Sequence, residues 1–323
     1  MEVRKGYKQT EVGVIPEDWI VLPMDSIGEV IRGASPRPQG DKRYYGGNIP
    51  RLMVEDITRD KHWITPSVDY LTEAGAKLSR MCKKSSLVLV CSGTPKAVGL
   101  PGLLAVDACI HDGILGLVKI NENFSEDFLF HQLRSLQQRL HAAATHGGTF
   151  VNLTTDAFSA FNVAIPPKIT EQTAIATALS DADALITGLE KLIAKKRAIK
   201  QGTMQELLTG KKRLEGFEKK KGYKQTEVGM IPEDWDLYPF GDVFNVSGGL
   251  SASRSQLSSD GYCYLHYGDI HTSTKNFIDV KAEFLEIPKL DIPKNCIPSN
   301  TLLDDGDIVF VDAVNRRAIM THF

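Results

Sequence analysis

The chain has 323 residues, 42% hydrophobic and 24% charged, with a mean hydropathy of -0.16, which supports about two domains with a core each and excludes a disordered tail protein. Its longest apolar run, Leu87 to Cys91, falls far short of the roughly 18–20 residues of a membrane span, and the start Met1-Glu2-Val3-Arg4-Lys5 leads into polar residues instead of a secretory leader, so the expected setting is the cytoplasm with no membrane partner. The net charge of -2 hides an asymmetry: Lys191 to Lys224 carries 12 Lys/Arg against 3 Glu, a balance of +9, while 26 basic and 37 acidic residues leave -11 elsewhere.

In chain order, the first feature is a repeat. Gly6-Tyr7-Lys8-Gln9-Thr10-Glu11-Val12-Gly13-Val14-Ile15-Pro16-Glu17-Asp18-Trp19 returns as Gly222 to Trp235 at an offset of 216, with only Val14 replaced, by Met230. An offset that long implies a duplicated module rather than a solenoid. Ile49 to Thr58 then aligns with Tyr262 to His271 at 213, sharing Asp-Ile, and Leu87–Val90 with Ile308–Val311 at 221. These short apolar or β-branched runs predict strands. From Gly222 only 102 residues remain where a full copy would take about 216, so a complete first module, a connector and a part-length second module are expected.

The connector predicts a long helix. Glu171 to Thr209 holds no proline and places Ile175, Leu179, Ala182, Ile186, Leu189 and Ile193 at steps of 4, 3, 4, 3 and 4, a heptad seam, with Leu185, Leu192 and Ile199 widening the stripe. Gly210 followed by Lys211-Lys212-Arg213 is the expected stop. At about 1.5 Å per residue the helix would run roughly 58 Å. No comparable helix is evident in the first module to receive the seam, so another copy of itself is the expected partner. The reading is an α+β chain with a strand-rich domain over 1–170, a coiled-coil helix over 171–213, and a linker with an incomplete second domain over 214–323.

The chemical inventory points away from catalysis. The chain has neither a phosphate-binding G-x-x-x-x-G-K-[ST] loop nor an H-E-x-x-H pair, and its five cysteines make no C-x-x-C. No metal, cofactor or enzyme activity is expected. What remains is a set of polar loops in the first module that mix cations with hydroxyl, amide and aromatic groups. Lys42, Arg43, Lys83 and Lys84 are the candidates for DNA phosphates. Arg37, Lys96, Thr149 and Asn152 are the candidates for base edges, and Arg32, Tyr44 and Thr94 complete the set.

The stretch Thr149 to Asp156 with Phe158, then Ile165-Pro166-Pro167, Glu171-Gln172 with Ile175-Ala176, and Leu179 through Leu208-Thr209-Gly210 resembles the specificity subunits of type I restriction-modification enzymes. The repeated Gly-Tyr-Lys-Gln-Thr-Glu-Val-Gly-x-Ile-Pro-Glu-Asp-Trp also resembles their repeated conserved region. The resemblance implies two target-recognition domains, each reading half of a bipartite duplex DNA site. Conserved helices would pair antiparallel and dock methyltransferase subunits and, through them, restriction subunits. Methylation and cleavage would belong to those partners. With a part-length second domain, the remainder would come from a second copy or a separately encoded piece. The alternative is a scaffold or decayed fragment that binds methyltransferase without reading a sequence.

Overall fold

The computed structural model describes residues 3–147, 150–217, 222–273, 275 and 277–311. Thr149 therefore lies outside the described residues. The chain divides into two units, Met1–Gly202 and Thr203–Phe323, and the long helix runs through the division.

In the first unit the strand Leu87–Val90 organises the packing. It sits third in a five-strand sheet ordered Glu29–Arg32, Ile114–Val118, Leu87–Val90, Pro101–Leu104 and Trp63–Ile64, antiparallel except for the last pair. All four of its side chains are buried. Because successive strand residues face opposite ways, Leu87 and Leu89 enter a core with Phe128, Leu129, Phe130, Phe158 and Ile165. Val88 and Val90 enter a second core with Leu52, Ile57, Cys82, Leu104 and Ile110. Residues Leu52, Cys82, Ala108 and Ile110 of that core come from the other sheet, ordered Asp69–Leu71, Tyr45–Leu52, Ala108–Ile110 and Arg80–Cys82. The expected strand at Leu87–Val90 is thus present and central. The thiols Cys82, Cys91 and Cys109 are buried, and burial pushes Cys82 up to about 12 and Cys91 up to about 11.

The run Ile49 to Thr58 is only half strand. Tyr45–Leu52 is extended, but Val54–Asp60 is helical. The Asp56 carboxylate accepts the Met53 N–H at 3.0 Å, and Glu55 and Asp56 lie in the positive first turn. This N-terminal chemistry outweighs the strand preference of Val54, Ile57 and Thr58. The second copy repeats the correction at the same offset of 213, with strand Tyr262–Cys263 followed by helix Tyr267–Thr272, whose first turn is capped by the His266 side chain.

The repeated fourteen residues form the same hairpin twice. Tyr7–Thr10 pairs with Gly13–Pro16, Tyr7 opposite Pro16, and Tyr223–Thr226 pairs with Gly229–Pro232, Tyr223 opposite Pro232. The rest of the second unit is sparse: a three-strand sheet of two-residue strands and short helices, with Ile231, Pro232, Ile287 and Leu290 as its buried apolar side chains among the described residues. The expected strand Ile308–Val311 makes no ladder among the described residues. In the first unit the strands that flank Leu87–Val90 are Pro101–Leu104 and Ile114–Val118.

The connector is one helix, Ile169–Leu208, of 40 residues. Its start is locked to the first unit through Gln172, only 1% exposed. The Gln172 Oε1 accepts the Ser125 N–H at 2.9 Å, and its Nε2 donates to the carbonyls of Asn123 (3.2 Å) and Pro166 (3.0 Å). Trp19 donates its indole N–H to Glu171, His131 meets the Ser180 hydroxyl at 3.0 Å, and Arg134 pairs with Asp183 at 2.8 Å. A helix does receive the first turns of the connector: Glu126–Ser135, of 10 residues, too short to stand out in the sequence.

Candidate nucleic-acid interface

Three of the candidate residues, Arg32, Arg37 and Asn152, are brought together at the end of the central sheet where Leu87–Val90 leads into Ser92. Three segments meet there: the end of strand Glu29–Arg32, the turn His111–Gly113 between two buried strands, and the short strand Ser92–Gly93 paired with Phe150–Asn152. They enclose a cleft of about 390 Å³ lined by Arg32, Ser92, Gly93, His111, Asp112 and Gly113. The crossing is close. A Cβ on Gly33 would lie 2.1 Å from the His111 carbonyl oxygen, so only glycine lets the chain leave Arg32 over this turn.

The polar groups of the cleft hold one another in fixed orientation. The Arg32 Nε–H donates to the Asp112 carbonyl at 2.9 Å and an Nη2–H to the Asn152 Oδ1 at 3.1 Å. That leaves Nη1 without a partner among the described residues. The Asn152 oxygen accepts from Arg32, and its amide NH2 has no hydrogen-bond partner among the described residues. Arg37 reaches the Asp112 carboxylate at 3.3 Å. The His111 Nδ1 accepts the Gly113 N–H at 2.9 Å, and burial, the largest influence, lowers its pKa. His111 is therefore neutral near pH 7 with its proton on Nε2, and its 3.1 Å approach to Asp112 is not an ion pair. The loop carrying Arg37 is fastened from beneath. Ala34 accepts the Ser79 hydroxyl, Ser35 accepts an N–H of the buried Arg51, and Pro36 accepts the Tyr45 hydroxyl.

The cleft thus unites Arg32, Arg37 and Asn152. Thr94 and Lys96 are exposed on the loop that follows Ser92–Gly93. Lys42 is exposed in the loop before Tyr45 with no ion-pair partner among the described residues, Arg43 beside it is bound to Asp41 at 2.6 Å, and its guanidinium lies over the Tyr44 ring, 5.3 Å from the centroid. That guanidinium holds the Asp41 carboxyl down at about 2. Lys83 and Lys84 are not near the cleft. They precede Leu87, at the opposite end of the strand, where Lys83 pairs with Asp107 at 2.8 Å and the Lys84 N–H also bonds it. His111 and Asp112 belong to no cation-bearing loop of the sequence. The signal for them was the Asp-Gly turn at 112–113 between two apolar runs.

Along the helix, Ile175 is half-buried against the first unit's own core. Ala182 and the seam residues Leu179, Ile186, Leu189 and Ile193 are exposed, as are Leu185 (64%) and Leu192. Continued beyond Ile193, the heptad positions are occupied by Lys196 and Lys200. The helix is also divided by charge. Residues 169–190 hold Glu171, Asp181, Asp183 and Glu190 with no Lys or Arg, and residues 191–208 hold five cations against Glu206.

Residues 16–201 match the family described as the type I restriction modification DNA specificity domain. The chain belongs to this family. Among the relatives of this type I specificity chain is the putative type I restriction enzyme MjaX specificity subunit of Methanocaldococcus jannaschii, 28% identical over 94% of this chain and 69% of that protein. The MjaVIII specificity subunit of the same organism is 25% identical over 98% of this chain and 68% of its own length. The solved HsdS subunit from Thermoanaerobacter tengcongensis is 18% identical with a TM-score of 0.45, covering 62% of this chain and 47% of that one. The type I specificity chain therefore spans about half the length of that solved subunit. No helix among its described residues is long and apolar enough to cross a membrane.

Proposed function

We propose that this chain is the DNA-reading subunit of a type I restriction-modification assembly, its first domain reading one half of a bipartite duplex site through the cleft around Arg32 and Asn152. The observation that carries the reading is the mixed donor and acceptor set held rigidly at one sheet end. An arginine suits the O6 and N7 of guanine, an asparagine amide suits adenine, and a carboxylate accepts from the cytosine amine. Lys42 joins the set as a phosphate contact, which positions without specifying, and Lys96 as a further base-edge contact. The functional segments are 1–170 for recognition, 171–213 for helix pairing and methyltransferase docking, and 214–323 for a linker and second recognition domain of partial length.

The helix supports an antiparallel partner, whether a second copy or a separately encoded remainder. Pairing it head to tail with a like helix about Leu189 would lay Lys196 and Lys200 of one beside Asp181 and Asp183 of the other while the seams pack. A helix of roughly 58 Å exceeds one DNA turn of about 34–36 Å, as holding two half-site readers apart requires. Methyltransferase subunits, and restriction subunits through them, complete the assembly. The experiment is selection of bound duplexes from a random library by the purified chain with its methyltransferase subunits. An enriched sequence is expected. Salt-dependent binding without enrichment would leave a scaffold that does not read.

A further inference from the structure

His111 is pinned at the floor of the cleft by its backbone. Its N–H donates to the Leu52 carbonyl at 3.2 Å, and its carbonyl accepts the Ile114 N–H at 2.9 Å. Two residues on, the Gly113 carbonyl accepts both the Cys91 and the Ser92 N–H, at 2.9 and 3.2 Å, so the turn is tied to the end of the central strand. Gly33 crosses over it too closely for any side chain.

The ring is fixed as well. The Gly113 N–H lies 2.9 Å from the His111 Nδ1. A backbone N–H can only donate, so Nδ1 accepts and the ring carries its proton on Nε2. That Nε2–H has no hydrogen-bond partner among the described residues, and the side chain, 26% exposed, lines the cleft. Closing the turn uses only the Nδ1 edge, and an asparagine would close it equally well. The imidazole adds one donor on the far edge, beside the turn whose Asp112 holds Arg32 through its carbonyl and Arg37 through its carboxylate.

We propose that His111 is a specificity-determining residue whose Nε2–H donates to the N7 of a purine in the major groove. With Nδ1 occupied the ring cannot accept, so the amines of cytosine and adenine are not its partners. Thymine presents its O4 beside a methyl group, and the cleft lining of Arg32, Ser92, Gly93, His111, Asp112 and Gly113 offers no aliphatic side chain to cover that methyl. The purine N7 is the acceptor that adenine and guanine share. This rests on the reading of the cleft as a base-reading surface, and it adds a contact that separates purine from pyrimidine.

The test uses the chain with its methyltransferase subunits and the selected duplex, each purine of the half-site replaced in turn by its 7-deaza analogue, which exchanges N7 for a C–H and keeps the pairing edge. At one position the replacement should weaken binding by about fivefold, the loss of one neutral hydrogen bond. His111→Asn, whose Oδ1 keeps the turn bond while its amide stops short of the Nε2 position, should bind the unmodified duplex about fivefold more weakly and lose nothing further at that position. Purines read by Arg32 should stay sensitive in the variant. In the unsubstituted chain, labelled with 15N at histidine, the selected duplex should protect the His111 Nε2–H from exchange and the 7-deaza duplex should not, a readout that needs no variant. Equal sensitivity of the chain and His111→Asn at every purine, or an Nε2–H left unprotected by the selected duplex, would overturn the proposal and leave the cleft a reader. A failure to enrich any duplex would overturn both.

Discussion

Gln172 is the point at which the long helix is oriented, and replacing it separates hydrogen bonding from packing. In Gln172→Met the volume is retained while three bonds vanish, leaving the Ser125 N–H and two carbonyls without their partner. An unsatisfied buried group costs about 1–3 kcal/mol, with carbonyls at the low end because under-satisfied carbonyls are better tolerated than orphaned N–H groups. A total of about 3 kcal/mol is expected, and Gln172→Ala, which also empties the buried volume, costs about 2–5 kcal/mol more. With a urea m-value of about 2 kcal/mol/M, the methionine variant should lower the first unit's midpoint by about 1.5 M, measured by circular dichroism. Thr173→Ala, one residue on and facing solvent, is the control and should stay within about 0.5 kcal/mol. If Gln172→Met costs no more than that control, the helix is not held by this side chain, and the argument that the domain fixes its direction fails.

Charging the seam with Leu179→Asp and Ile186→Asp together should abolish helix pairing or methyltransferase docking, because both side chains are exposed apolar residues of one stripe; an unchanged assembly mass by light scattering would contradict it. Burial, ahead of neighbouring charges, lowers the pKa of both His111 and His131. Between the unfolded value of about 6.5 and the lower folded values the unfolded chain holds more protons, so this stability is complete above about pH 6.5 and lost as pH falls below it. The melting temperature should therefore drop between pH 7 and 5.5, less so in His131→Gln, and an equal drop in both would refute the assignment. Among the described residues of 238–311 only Ile287 and Leu290 are buried large apolar side chains, so limited trypsin should cut at Arg254 and Lys281 well before sites in the first unit; simultaneous cutting would show a firmer second unit than its packing implies.

Much of this architecture was readable from periodicity and repetition, which depend on local chemistry. The helix was legible to within two residues of its start and one of its end because the heptad spacing and Gly210 are local signals. The duplication was legible because the hairpin residues recur, although the hairpin itself went unread: Glu11 and Val12 lie between strands closed by Gly13, whose positive φ of 117° makes the turn. Val54–Asp60 was misread because three β-branched residues masked an acidic first turn. The cleft was half legible. Arg32, Arg37 and Asn152 lie up to 120 residues apart and were named for their side-chain chemistry, whereas Asp112, which joins the two arginines, follows from strand order that no spacing encodes. The Lys83 and Lys84 pair shows the converse, a basic cluster conspicuous in sequence that the sheet carries to the end away from the cleft.

Sequence selectivity at the cleft is the central claim, and it is tested most directly by comparing single substitutions on a selected duplex and on a scrambled one across a salt series. Arg32→Ala and Asn152→Ala should each cost about 1–3 kcal/mol on the selected duplex and little on the scrambled one, whereas Lys42→Ala should weaken both alike and reduce the salt slope by about one. Equal losses on the two duplexes for Arg32→Ala and Asn152→Ala would contradict the account, because the cleft would then hold DNA without reading it.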